Sequence, residues 1–171
     1  MGPVSQVAAE PVESPFDGYA DESPPLKSYA AFTAVFGTAF GGAMVAAKRT
    51  GRDLPERLEP ADLVLIGVAS HKLTRVVTKS KVASFVRAPF TELQGPAGRG
   101  EVDEKPRGRG LRRSLGELFT CPYCLGLWVT AGFTVGLLYV PRVTRVVAGT
   151  YAATALADFL QLAYRAAEKR S

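Results

Sequence analysis

The stretch FTCPYCLGLWVT, Phe119 to Thr130, contains both cysteines of the chain, Cys121 and Cys124, separated by Pro122 and Tyr123. Two thiols at this spacing suit three roles: dithiol–disulfide exchange, coordination of zinc or an iron–sulfur cluster, or packing of small polarizable side chains at a helix start. Free backbone N–H groups in a first helical turn would stabilise a thiolate at Cys121, and Pro122 fits such a turn. A glutaredoxin-type site, however, requires strands alternating with helices. Residues 125 to 140 continue as an uncharged helical run, and no strand pattern precedes Phe119. A closed zinc site needs four ligands, so two cysteines and the single histidine, His71, would suffice only in a dimer. A structural role needs nothing beyond the helix start.

The second group that could do chemistry is His71, Arg75 and Asp158. His71 lies seven residues before Thr78, and Asp158 seven before Arg165. At about 1.5 Å per residue both sit roughly 10 Å from the ends of their helices, a level at which a membrane-embedded acid needs a partner. The expected pair is Asp158 with His71 or Arg75; in the alternative, Asp158 faces the interface through local water. Soluble catalysis finds no support: no glycine loop follows a strand to cradle phosphate, and no nucleophile has an identifiable base. No cofactor is implied. The basic stretch RGRGLRRS lacks the interleaved aromatics of a nucleic-acid interface, so anionic lipid is the expected partner of the basic loop and nucleic acid is not.

The elements that must position these residues follow from where charge is missing. The composition, 47% hydrophobic and 22% charged, hides a segregated chain. Residues 1–27, acidic and proline-rich, read as a disordered tail with no cleavable signal peptide. Residues 29–47 carry no charge over 19 positions and fit one membrane span, an N-terminal addition occupying 28–50. Pro60 can open a second helix over 60–78, apolar in its first half and interrupted by His71, Lys72 and Arg75, which spans if those cations reach the interface. Residues 78–117 hold nine basic and five acidic residues. Within them KVASFVRAPF suits a short helix lying on anionic lipid, and 91–113 reads as a flexible basic loop. Residues 118–140 form the clearest span, with Tyr139 at its far end, and 144–164 a fourth, interrupted by Asp158. Gly37 with Gly41, and Gly132 with Gly136, have the spacing that lets membrane helices pack closely.

The fold expected is therefore all-α, a small membrane bundle of four helices. Thirteen basic residues fall inside and six outside when both termini are cytoplasmic, the orientation that retention of Lys and Arg favours. A three-span arrangement, with 60–78 lying on the surface and the acidic tail outside, is the structural alternative.

The blocks SHKLTRVVTKSKVASFVRAPF and GRGLRRSLGELFTCPYCLGLWVT together resemble an uncharacterised family of small bacterial membrane proteins that includes a sporulation-associated member. The likeness covers about residues 60–165. It rests on Leu73, Thr74 and Arg75; on Arg87, Pro89 and Phe90; and on Gly116, Glu117, Cys121, Pro122, Cys124, Gly126 and Trp128. It implies an integral membrane protein in which the LTR helix is a true span, and it implies no activity. His71 with Lys72, and the added first span, depart from the family pattern. The expected function is that of a non-enzymatic accessory or interaction protein of the bacterial inner membrane, in envelope or sporulation-like development, partnered by lipid and by another membrane protein or a second copy of itself. A membrane thiol redox or metal-binding factor using the CPYC pair is the alternative.

Overall fold

A computed structural model describes residues 25–170. The expected acidic tail lies outside the described residues except for its last three, of which Leu26 and Lys27 already belong to the first helix. The elements in chain order are α1 (Leu26–Arg49), α2 (Pro60–Lys79), α3 (Ser84–Arg87), β1 (Thr91–Gly98), β2 (Glu101–Pro106), α4 (Gly110–Thr120), α5 (Pro122–Tyr139) and α6 (Pro141–Glu168). Proline occupies the first turn of α2, α5 and α6, where its missing N–H breaks no helical bond and its fixed φ suits the helix.

Three of these helices, α1, α5 and α6, are long and apolar enough to cross a membrane. The fourth, α2, is long enough but carries Asp62, Lys72, Arg75 and Lys79. It nevertheless packs lengthwise along both α5 and α6. Its inward face repeats at helical spacing through Asp62, Ile66, Ala69, Ser70, Thr74 and Thr78, all buried. Ile66, Ala69, Phe133 of α5 and Ala148 of α6 form the small core, with Leu73, Val129, Leu137 and Tyr151 around it.

Many of the remaining large apolar side chains are exposed. Val35, Val64, Leu127, Val146 and Leu160 are each more than half exposed.

The ends of the helices are matched across the bundle. Arg145 of α6 holds Asp62 through two bonds of 2.9 and 2.7 Å. Nearby, the Tyr139 hydroxyl donates to the Ala43 carbonyl at 2.8 Å. Arg52 lies over the Tyr139 ring and donates to the Leu138 and Tyr139 carbonyls, both 3.3 Å away, groups that the end of α5 leaves without helical partners.

Three expectations are corrected. The fold is mostly helical but not all-α: within residues 91–113, expected as a flexible loop, β1 and β2 form an antiparallel hairpin closed by Arg99–Gly100. Both turn residues have positive φ, 50° and 80°, the mirror-image geometry whose twist matches paired strands. The run 118–140 is two helices, because Pro122 cannot donate to a preceding turn and Cys121 adopts an extended conformation between α4 and α5. Of the four glycines expected at helix contacts only Gly136 is close-packed: a Cβ there would lie 2.6 Å from Oγ1 of Thr144, whereas Gly37, Gly41 and Gly132 have nothing within 4 Å.

Candidate functional site

Four of the residues that resemble the family motif, Arg87, Pro89, Phe90 and Gly116, meet at one end of the bundle, where α2 ends and the chain folds back through α3, the hairpin and α4. The final carbonyls of α2 lack intrahelical partners. Arg87 supplies them: fully buried, it donates to the Val77 carbonyl at 2.6 Å and the Ser80 carbonyl at 3.0 Å. A guanidinium is also favoured electrostatically at a helix C-terminus. The same side chain grips Glu104 of β2 with two bonds of 2.9 Å, and the Thr91 hydroxyl donates to Glu104 at 2.7 Å. Arg87 thus ties the end of α2 to both strands.

Glu104 feels two opposed effects. Burial pushes its carboxyl up, but hydrogen bonds from Arg87 and Thr91, the Arg87 charge and Ser84 outweigh it and hold the carboxyl below its ordinary value of 4.5. A carboxyl depressed by folding contributes stability that is full above its unfolded value and is lost as pH falls through the folded one. Acidification below about pH 4.5 should therefore loosen the hairpin end of the molecule. Protease cleavage between residues 88 and 110, followed against pH for the native chain and Glu104→Gln, checks this. The two should differ at neutral pH and converge in acid.

Phe90 stacks on Phe119 of α4 with centroids 6.0 Å apart. Its carbonyl accepts from the Arg107 N–H at 2.9 Å, and the Pro89 carbonyl accepts from Arg112 at 2.9 Å. Gly116 is where α4 meets this corner: a Cβ would stand 2.5 Å from the Phe90 carbonyl oxygen and 3.0 Å from Pro106. One residue on, Glu117 accepts hydrogen bonds from Arg113 and from the hydroxyl of Tyr29 on α1. Leu73 packs against the core, and Thr74 is buried with no hydrogen-bond partner for its hydroxyl among the described residues. Trp128 meets Phe36 of α1 edge-on at 5.2 Å, while Gly126 has open space around it.

Cys121 and Cys124 are joined as a disulfide, with Cα atoms 5.3 Å apart. Cys121 caps α5, its sulfur accepting from the Cys124 N–H at 3.2 Å. The pair sits at the surface, with Cys124 exposed and Tyr123 93% exposed. Among the described residues no three His, Cys, Asp or Glu side chains gather as a metal site would require.

The expected partners of Asp158 are corrected. Asp158 is paired with Lys72, and Arg75 turns instead to Glu101 of β2, with bonds of 3.0 and 2.6 Å. His71 pairs with neither. All four residues nonetheless line one cleft of about 1010 Å³, bounded by the second half of α2, the hairpin tip and α6. The tip is pinned there by the Lys81 N–H, which donates to the Gly100 carbonyl at 2.8 Å, and by the pairing of Ser80 with Glu101. Sequence reasoning names Lys72 only as a cation interrupting the second helix and a departure from the family pattern, not as the partner of Asp158, and does not single out Glu101 or Glu104. The signal available for the last two was five acids set among nine bases in one short loop.

Residues 65–164 match the family described as protein of unknown function (DUF1360). Over 89 residues, 52% of this chain, the protein is 28% identical to the UPF0713 protein YngL of Bacillus subtilis (strain 168). The match spans 66% of that relative, just under two thirds of its length. No solved structure matches.

Proposed function

The chain belongs to the DUF1360 family of proteins of unknown function, and from that premise we propose that it is a four-span protein of the bacterial inner membrane with both termini cytoplasmic. On this reading it acts by association, without catalysis of its own, as an accessory in envelope or sporulation-like development. The observation that carries the reading is the wide apolar surface. Among the described residues, valine, leucine and phenylalanine side chains lie open around a contiguous core cluster of four buried residues, the kind of exposed apolar face that marks a membrane or partner surface.

Support for α2 as the fourth span comes from its neighbours. It runs between two helices apolar enough to cross, and α6 matches Asp62 and Lys72 with Arg145 and Asp158. The fold-back formed by α3, the hairpin and α4 then lies on the cytoplasmic side. There Val82, just before the short α3, and Phe85 within it, 84% and 78% exposed, suit insertion among lipid headgroups.

Single cysteines placed at Arg57, Arg109 and Arg142, in a background with Cys121 and Cys124 replaced by serine, test the arrangement. An impermeant thiol reagent should label the first and third from outside and the second only after the membrane is opened. Labelling of positions 57 and 109 from the same side would refute a spanning α2.

A second reading, thiol exchange at the CPYC pair, is favoured by one observation, the disulfide at the exposed start of α5. Disulfides on a cytoplasmic face are as a rule transient and redox-sensing. Alkylation of rapidly quenched cells distinguishes the two readings. A Cys121–Cys124 pair that shifts between thiol and disulfide with applied oxidant, and whose serine variant loses the protein's effect, supports exchange. A pair locked in one state, with a silent serine variant, removes it.

A further inference from the structure

We propose that the cleft between α2, the hairpin tip and α6 binds the phosphate headgroup of an anionic phospholipid; this rests on the four-span reading above. Its walls carry four basic side chains, Lys72, Arg75, Arg99 and Arg165, and only two carboxylates, Asp158 and Glu101. Both carboxylates are already engaged, Asp158 by Lys72 and Glu101 by the two-bond grip of Arg75. Among the described residues Arg99 and Arg165 have no carboxylate partner, so the cleft keeps an excess of positive charge directed at its own space. Arginine guanidinium recognises phosphate through paired N–H donors, and basic pockets between helices at the cytoplasmic side of a membrane are suited to phospholipid headgroups.

Two further observations point to the same ligand class. Arg99 occupies the first turn position of the hairpin at φ 50°, where an L-residue other than Asn or Asp is uncommon and glycine would fit without strain. The fold tolerates an unfavourable residue at the turn position that adds the hairpin's own cation to the cleft. The cleft also has apolar lining, Val76, Ala155, Phe159 and Leu162, and it adjoins the open face of α6, where Phe159 and Leu160 are 59% and 62% exposed. A site lined by both basic and apolar side chains fits a headgroup with the start of its chain. The volume of about 1010 Å³ is at the top of the range of roughly 300–1,000 Å³ for ligand sites and far exceeds the needs of a bare inorganic phosphate.

The test uses the full chain in nanodiscs of phosphatidylcholine with about one fifth phosphatidylglycerol, in about 0.15 M salt, where exposed charges more than about 8 Å apart are largely screened. Lipid retained on the protein is counted after transfer to detergent. The cleft variant is Arg99→Gln with Arg165→Gln; the control, Arg109→Gln with Arg142→Gln, removes the same charge elsewhere. The expected result is retention of phosphatidylglycerol over phosphatidylcholine by the native chain, a drop of at least tenfold in the cleft variant, and less than a twofold change in the control. Equal losses in both variants would overturn the proposal in favour of diffuse surface attraction. Displacement of the lipid by millimolar inorganic phosphate would overturn it in favour of a soluble anion. Failure of the membrane reading itself is distinguished beforehand, because the chain would then be released from membranes by alkaline carbonate.

Discussion

Replacing Arg87 with methionine is expected to destabilise the fold-back by about 3–5 kcal/mol, the cost of leaving a buried charge without its partner. Glu104, only 5% exposed, would lose both guanidinium bonds, and the end of α2 would lose the donor that serves two of its carbonyls. Arg87→Lys should recover little, since an ammonium cannot serve Glu104 with a planar fork while also reaching Val77 and Ser80. The paired change Arg87→Met with Glu104→Leu should be milder than Arg87→Met alone, because it removes the stranded carboxylate. Thermal unfolding in detergent, read by protease sensitivity across residues 80–110, ranks the three. A single variant as stable as the native chain would show that the network contributes nothing to holding the hairpin.

Gly116→Ala and Gly126→Ala should change stability in opposite directions, although both place a methyl group on a helix. At Gly116 the added carbon meets backbone, the Phe90 carbonyl oxygen at 2.5 Å, which cannot move aside as the tip of a side chain can. Forcing α4 away from that corner should cost about 1–3 kcal/mol, as overpacking usually does. At Gly126 the carbon meets nothing within 4 Å, so the alanine should gain up to about 1 kcal/mol of helix propensity. Melting temperatures of the two variants in one detergent decide the matter; equal shifts would mean that α4 does not rest on Phe90.

The helices were legible because absence of charge over about 20 residues has few other meanings, and because prolines mark where α2 and α5 begin. The hairpin was not. Its strands contain Gly95 and Pro96 at irregular pairing, and only Thr91, Val102 and the charged side chain of Glu104 are buried, so the apolar alternation that betrays a strand is almost erased. Its turn is Arg-Gly, which carries the glycine but lacks the asparagine or aspartate that would have announced it. The partner of Asp158 was missed by one residue for a geometric reason. Counting along a helix gives depth but not azimuth, and successive residues point about 100° apart, so His71 shares the level of Asp158 while Lys72 faces it. The motif residues were found as a group, but their meaning, Arg87 closing the end of α2 and Gly116 admitting the Phe90 carbonyl, depends on contacts between segments distant in the chain.

The matching of α2 to α6 also sets an order of events during synthesis. In the proposed topology α2 leaves the ribosome carrying Asp62 and Lys72, and the residues that neutralise them, Arg145 and Asp158, are made more than eighty positions later. Until then α2 is a poor tenant of the bilayer, and its lodging waits on the last helix. A chain cut before Pro141 should be recognised by membrane quality control as an orphan, even though every residue of α1, α2 and α5 is present.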